Sequence, residues 1–388
     1  MTKNTSWVSS RRQRLTGKKV VIIKNYYPVE KDTRVMKLLE MLKTGHFEIT
    51  YLGWDRDHTK LSFKSANKHY KEVIMQRNAP FGLTSYLFLP LWWLFVLRWL
   101  LKSDWDIAHV VNFPSVTPAI LASKLKHKPV VYDIEDTTVD QLAFKGFFRT
   151  LGIQLERLHT KYVAAVVLVD EMQNEEFCGI PNDNSVVIYD SPPYVSNTGK
   201  AQFEKNDFEI FYAGYLNKEG HLNIESLLEA IRDIEHVKVT IAGEGNLVEE
   251  IKTKASEMPE KIQYLGWIPY DKVLNMSFDA DLLFSLRDPY PLTHRYICGS
   301  KFLEALMCGK PVLVNKGTST AIKVIAAKCG LVVDAHNTGE IREAILKLKH
   351  NKELWTNLAL NSEKAFDQKY SWEKMKQRLF DLYSKLLT

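Results

Sequence analysis

The chain has 388 residues, enough for two domains, and 45% of them are hydrophobic, enough for ordinary packed cores. A net charge of +6 does not by itself indicate a partner, and no nucleic-acid ligand is expected. Four scattered cysteines form neither a CxxC metal site nor a disulfide framework, so reduced thiols in a cytoplasmic protein are expected.

No acidic residue precedes Glu30, while Lys3, Arg11, Arg12, Arg14, Lys18, Lys19 and Lys24 do. This start reads either as a solvated tail or as a contact for phosphates or anionic lipid. It leads only into the short run Val20 to Ile23, which is strand-sized and no secretory signal. The loop after this first strand, NYYPVEKDTR, has no glycine, so a dinucleotide site is not expected there.

Further strands are expected in FEITYLGW, YKEVIMQ, WDIAHVVN, PVVYDIED and AAVVLVD, with helical segments between most of them. The run from Tyr86 to Leu101 stands out, because only Pro90 and Arg98 in it are not apolar. It is shorter than the roughly 20 residues that span a bilayer, so a helix packed on the first sheet is expected. With Trp92, Trp93 and Trp99 it reads as a membrane contact on the inner face of the cell membrane. A buried core helix and a dimer interface are the other readings.

IYDSPPYVSNTGKAQFEKND holds two prolines and few apolar residues, which places a linker at 191–207. The pattern then restarts with DFEIFYAGY, VKVTIAGEG, KIQYLGW, DLLFSLRD, PVLVNK and GLVVDA, and two helical stretches, Lys352–Lys369 and Ser371–Leu387, close the chain. Near-continuous apolar strands joined by helices indicate parallel sheets covered on both faces. The fold class is therefore α/β, two doubly wound Rossmann-like domains in tandem, with a cleft expected between them. The expected limits are 1–190, the linker 191–207, 208–370, and 371–388 as a helix crossing back to the first domain.

The nearest glycine fingerprint, Gly243-Glu244-Gly245, lacks its third glycine, and neither a Walker A loop nor a G-x-S-x-G elbow is present. Three Asp-x-Asp strings begin at Asp55, Asp104 and Asp279. Such pairs can hold a phosphate-bridging metal, but two of them sit at strand starts and no metal is expected.

The segment GSKFLEALMCGKPVLV, Gly299 to Val314, carries the strongest signal. Gly299 and Ser300 open a helix whose free amides and positive dipole end suit a phosphate, with Lys301 adding charge. The helix is otherwise apolar and must be buried, so the carboxylate of Glu304 needs a partner. A ribose diol is one partner; Lys301, three residues earlier, is the other.

These residues resemble the retaining GT-B glycosyltransferases of family four. That family has a glutamate followed by Ala and then Gly-x-Pro-Val, matched by Glu304, Ala305 and Gly309-Lys310-Pro311-Val312. YAGYLNKEG, IAGEGNLVEEI and LGWIPYDKVLNMSFDADLLFSL resemble its phosphate loop, its next strand-loop-helix and its base pocket. KDTRVMKLLEMLKTGHFEITYL is similar to a first-domain pattern, and YSWEKMKQRLFDLYSKLL to the closing helix. The resemblance implies a hexosyltransferase-type enzyme that moves a sugar from a nucleotide-diphosphate sugar to an acceptor with retention. Many members glycosylate lipid-linked acceptors, so a lipid-linked acceptor is one expectation here.

The resemblance also implies donor contacts at Glu304, Gly299, Ser300, Gly214, Gly243, Trp267 and Ile268. No cofactor is expected, since the nucleotide-sugar is a substrate. Lys218, Arg295, Lys301 and the amides at Gly299 and Ser300 are candidates for holding the leaving diphosphate. In the first domain Asp133, Glu135 and Asp136 follow one strand. One of them would steady the reacting carbon or take the acceptor proton, although helix capping accounts equally for Asp133 or Asp136. Asp32, Arg34 and His109 are grouped with them on the acceptor or phosphate side. The chain departs from the family pattern at Tyr296, where the first glutamate of a pair stands, at Tyr215 and Gly220 in the phosphate loop, and at Glu135, which replaces a histidine. A non-catalytic GT-B-like partner subunit and a nucleotide-sugar epimerase are the alternative functions.

Overall fold

Runs of valine and isoleucine without polar alternation can only be satisfied in sheets covered on both faces. The computed structural model describes residues 15–57, 68–80, 83–142, 144–195, 206–218, 222–290 and 293–388, and it contains two such sheets. The basic residues before Leu15, Gly220 and most of the expected linker lie outside the described residues.

Among the described residues the first sheet has seven parallel strands in the order β3-β2-β1-β4-β5-β6-β7. They are β1 (Lys19–Ile23), β2 (Glu48–Asp55), β3 (Lys71–Gln76), β4 (Ile107–Val111), β5 (Val130–Ile134), β6 (Ala165–Leu168) and β7 (Ser185–Val187). The first six match the apolar runs. β7 pairs three residues at the sheet edge, too few to stand out from its loop. The main helices of this half are α1 (Thr33–Thr44), α2 (Leu89–Lys102), α3 (Phe113–Lys126) and α4 (Gly146–Thr160).

Among the described residues the second sheet has six parallel strands in the order β10-β9-β8-β11-β12-β13. They are β8 (Phe208–Ala213), β9 (Val237–Ala242), β10 (Ile262–Tyr264), β11 (Leu282–Ser285), β12 (Val312–Asn315) and β13 (Gly330–Val333). Helices α5 (Ile224–Ala230), α6 (Val248–Glu257), α7 (Tyr270–Asp279), α8 (Ser300–Met307), α9 (Ser319–Ala327), α10 (Thr338–His350) and α11 (Lys352–Ala365) belong to it. A short π-helical turn, Phe366–Tyr370, separates α11 from the closing helix α12 (Trp372–Leu387).

The chain forms two compact units, one running to Ile188 and taking in Lys376–Thr388, the other Tyr189–Met375. The last residues of α12 therefore belong to the first unit. There Phe380 stacks on Phe47 with ring centroids 6.3 Å apart, and a side chain at Gly45 would collide with Phe380.

α2 corrects the expectation for its tryptophans. Leu89, Trp92, Val96 and Leu100 recur at helical spacing and are buried in the core of the first sheet. Trp92 is fully buried, stacks on Trp54 at 6.0 Å and donates its indole N–H to Ser115 Oγ, so it cannot be a surface contact. Trp93 and Trp99 are half-buried against the same core. A large ring with one polar atom suits this position, because both halves find partners.

Candidate functional site

In the second unit β8 lies between β9 and β11, so the connections diverge and a crevice opens beyond its carboxyl end. A pocket of about 330 Å³ occupies that place. Gly214 and Tyr215 after β8, Gly243 and Glu244 after β9, and Trp267, Ile268, Tyr270 and Lys301 line it. The two glycine loops touch backbone to backbone. Gly243 has φ 135°, and a Cβ there would stand 1.9 Å from Gly214 O, so only glycine fits. Tyr264 braces the turn by donating its hydroxyl to Gly243 O at 2.8 Å.

α8 delivers charge to the rim of this pocket. Its residues Phe302 to Met307 are buried, as its apolar sequence requires. Lys301 Nζ donates to Glu304 Oε2 at 2.7 Å, so the close pair that the spacing allows is present. A buried carboxylate held by one ammonium keeps acceptor capacity on its second oxygen.

The structure thus brings together Gly214, Gly243, Trp267, Ile268 and Lys301, with Glu304 one turn away. Other expected donor residues are placed differently. The Gly299 amide, expected to be free for phosphate, donates to Thr320 Oγ1 at 3.1 Å. Ser300 remains as the exposed residue of that terminus. Lys218 pairs with Glu250, and Arg295 is exposed with its guanidinium 5.7 Å from the Tyr296 ring; neither lines the pocket.

In the first unit the corresponding switch lies at β1, between β2 and β4. Charged residues gather at the carboxyl ends of β1, β4 and β5. Lys24, directly after β1, pairs with Asp32 and with Glu135 Oε2, the latter at 2.6 Å. Asp32 also caps α1 by accepting the Val35 N–H. Arg34 binds Asp133 through two nitrogens, at 2.8 and 3.2 Å, and donates to Ile188 O. Behind Asp133, His109 Nε2 lies 3.1 Å from Oδ2, and Tyr383 Oη lies 2.7 Å from Nδ1. Asn112, at a positive φ of 62°, accepts the Glu135 N–H and donates to Glu135 Oε2.

The electrostatics separate the two carboxylates. Burial pushes Asp133 up, but Arg34 and the His109 hydrogen bond outweigh it and hold the group down at about 2. Burial pushes Glu135 up to about 7, Asp32 and Asp133 add to this, and Lys24 and Arg34 oppose it. Glu135 Oε1 is buried and takes no hydrogen bond among the described residues. An acid poised near neutrality beside a permanently ionised one is an arrangement that can move a proton. Asp136, the next residue, is exposed.

Lys24, Asn112 and Tyr383 were not picked out as site residues in the sequence. A lysine ending an apolar strand was the available signal for Lys24; Tyr383 lies 274 residues from His109 and has none. Two of the three Asp-x-Asp strings hold strands in place. Asp106 accepts the Lys19 N–H, Asp104 pairs with Lys19 and Lys128, and Asp281 accepts the Glu209 N–H.

Residues 196–365 match the family described as glycosyl transferases group 1. An uncharacterized glycosyltransferase of Methanocaldococcus jannaschii is 26% identical over 46% of this chain and 48% of its own length. A phosphatidyl-myo-inositol mannosyltransferase of Mycobacterium leprae is 22% identical over 76% of this chain and 77% of its own. The chain thus spans about half the length of the archaeal relative. Among solved structures, Anabaena HepE in complex with UDP superposes with a TM-score of 0.71 at 14% identity, covering 95% of this chain and all of that one. WaaG, a glycosyltransferase involved in lipopolysaccharide biosynthesis, superposes with a TM-score of 0.60 at 13% identity, covering 94% and 99%.

Proposed function

We propose that this chain, which has the fold of the GT-B glycosyltransferases and matches the group 1 glycosyl transferases over residues 196–365, moves a hexose from a nucleotide-diphosphate sugar to a lipid-linked acceptor with retention of configuration. The observation that carries this reading is the pocket beyond β8, where two glycine loops, Trp267 and Lys301 meet, with Glu304 paired to Lys301 one turn away. Glycine loops let phosphates approach the backbone, Trp267 offers a face for a base, and the Glu304 carboxylate accepts from a ribose diol. HepE, whose structure holds UDP, has the same fold, and this supports a nucleotide in the second unit.

The leaving diphosphate is stabilised without a metal. Lys301 and the start of α8 supply positive charge, with Lys218 and Arg295 as further cations once their present contacts yield. In the first unit Glu135 takes the acceptor proton, and Lys24, Asn112 and Arg34 hold it in place. The protein works at the cytoplasmic face of a membrane. The Mycobacterium leprae relative is named for mannosyl transfer to phosphatidyl-myo-inositol, so a mannose donor and an inositol lipid are the first pair to try.

The test is a thermal-shift panel of nucleoside diphosphates and nucleotide-sugars. A ligand that binds only the folded state raises the melting temperature by mass action, so base and sugar are ranked together. One nucleotide-sugar series should shift the wild type, and shift Glu304→Gln less at the same concentration. A flat panel would contradict the reading.

A further inference from the structure

Three helices of the first unit lie side by side. Trp93 of α2 donates to Pro114 O at the start of α3 at 2.9 Å. On the other side of α3, Thr117 meets His159 of α4 at 3.0 Å, and the Lys124 ammonium lies 4.6 Å over the Tyr162 ring. Their inner residues are core, but their outer faces are not polar. Along α4, Phe147, Leu151, Leu155 and Leu158 recur at spacings of four, four and three and are all exposed, Phe147 to 73%. Leu94 of α2 is 63% exposed and Leu125 of α3 is 68% exposed. A helix that covers a sheet in water normally turns charge outward, and wide apolar surfaces mark contacts.

The exposed charges carried by these helices are cationic, and the exposed Asp104 beyond α2 is paired with Lys19 and Lys128. Arg98, Lys102, Lys124 and Lys161 are exposed on or beside the three helices. The helices carry a single acid, Glu156, and it is buried. The geometry points to a docking surface for an anionic lipid bilayer, with α2, α3 and α4 lying in the plane of its headgroups. Leucine and phenylalanine enter the acyl boundary while arginine and lysine meet lipid phosphates. A second copy fits less well, because a two-fold contact sets the same cations against each other. Thr84–Lys102 is apolar and long enough to cross a bilayer by length and composition, but its row of core residues fastens it to the sheet, so it lies on the membrane.

The surface deepens the reading of a lipid-linked acceptor but rests on its own residues. Its test is co-sedimentation of the full chain with vesicles of phosphatidylcholine alone or with about 30 mol% phosphatidylglycerol. We expect binding to the anionic vesicles that is at least about tenfold stronger, weakens at high salt, and falls about tenfold in Leu94→Glu/Leu155→Glu. Both substituted positions are exposed, so the variant should melt as the wild type does, and a nucleotide-sugar that shifts the wild type should shift it equally. That readout separates failure here from failure of the donor reading. Equal binding of wild type and variant, no vesicle binding at low salt, or a dimer by light scattering that Leu155→Glu dissociates while vesicles leave it unaffected, would overturn the proposal.

Discussion

The Tyr383 hydroxyl, on the last helix of the chain, lies 2.7 Å from Nδ1 of His109 in the fourth strand. An ionised Asp133 can only accept, so a neutral His109 would carry its proton on Nε2 and leave Nδ1 to accept from Tyr383. Both side chains are fully buried. Tyr383 is thus the last support of a row that passes through His109 and Asp133 to Arg34.

Tyr383→Phe leaves a buried ring nitrogen without its donor, which costs about 1–3 kcal/mol. Denaturant unfolding should show this loss, while donor affinity, set in the other unit, should not change. Deletion of 371–388 should cost far more, since it also removes Phe380 from its place against Gly45 and Phe47. Unchanged stability in Tyr383→Phe would show that the row does not act as a support.

Glu304→Gln keeps the shape of the side chain but weakens its hydrogen bonds to a ribose and to Lys301. Donor affinity should fall by about 1.5–3 kcal/mol, roughly ten- to a hundredfold, with little change in fold. Lys301→Met should weaken binding of the diphosphate more than binding of the nucleoside alone. Titration calorimetry distinguishes the two effects; wild-type donor affinity in Glu304→Gln would remove the ribose assignment.

Burial pushes Glu156 up to about 7 from an unfolded value near 4.5, against the Thr138 hydrogen bonds and the contact with Tyr132. A folded-state value above the unfolded one gives stability that is complete below about pH 4.5 and lost as pH rises through about 7. The loss is about 3 kcal/mol. Glu156→Gln should flatten the stability curve between those values. Asp133 acts in the opposite sense, since its folded value of about 2 gives stability that is lost only as acid brings the pH down to that range.

Activity should survive exhaustive chelation, because the cations at the pocket are side chains and the helix start. Loss of turnover with EDTA and its recovery with magnesium or manganese would turn attention to Asp55 and Asp57.

Much of the fold was legible because its strands are apolar without interruption, and a run such as PVVYDIED has few other places to go. β7 was not, because three edge residues carry no pattern. The pocket of the second unit was legible through the family resemblance, which picks out Gly214, Gly243 and Trp267, and through a lone acid in an apolar helix. The charged cluster of the first unit was harder. Lys24 resembles the basic residues before it in sequence, and only the third dimension sets it between Asp32 and Glu135. Trp92 misled because hydropathy reports how apolar a helix is and not which of its faces meets the core. The exposed stripe of α4 was not picked out, since hydropathy does not tell which of its leucines face outward.

The most direct measurement of the central claim is release of free nucleoside diphosphate when the purified chain is incubated with nucleotide-sugars and a lipid extract, with the glycosylated product and its anomeric configuration read by NMR. The account predicts release from one donor series, a lipid product with the donor's configuration, and loss of both in Glu304→Gln. An altered nucleotide-sugar with no acceptor product, or no turnover of any donor despite binding, would contradict it.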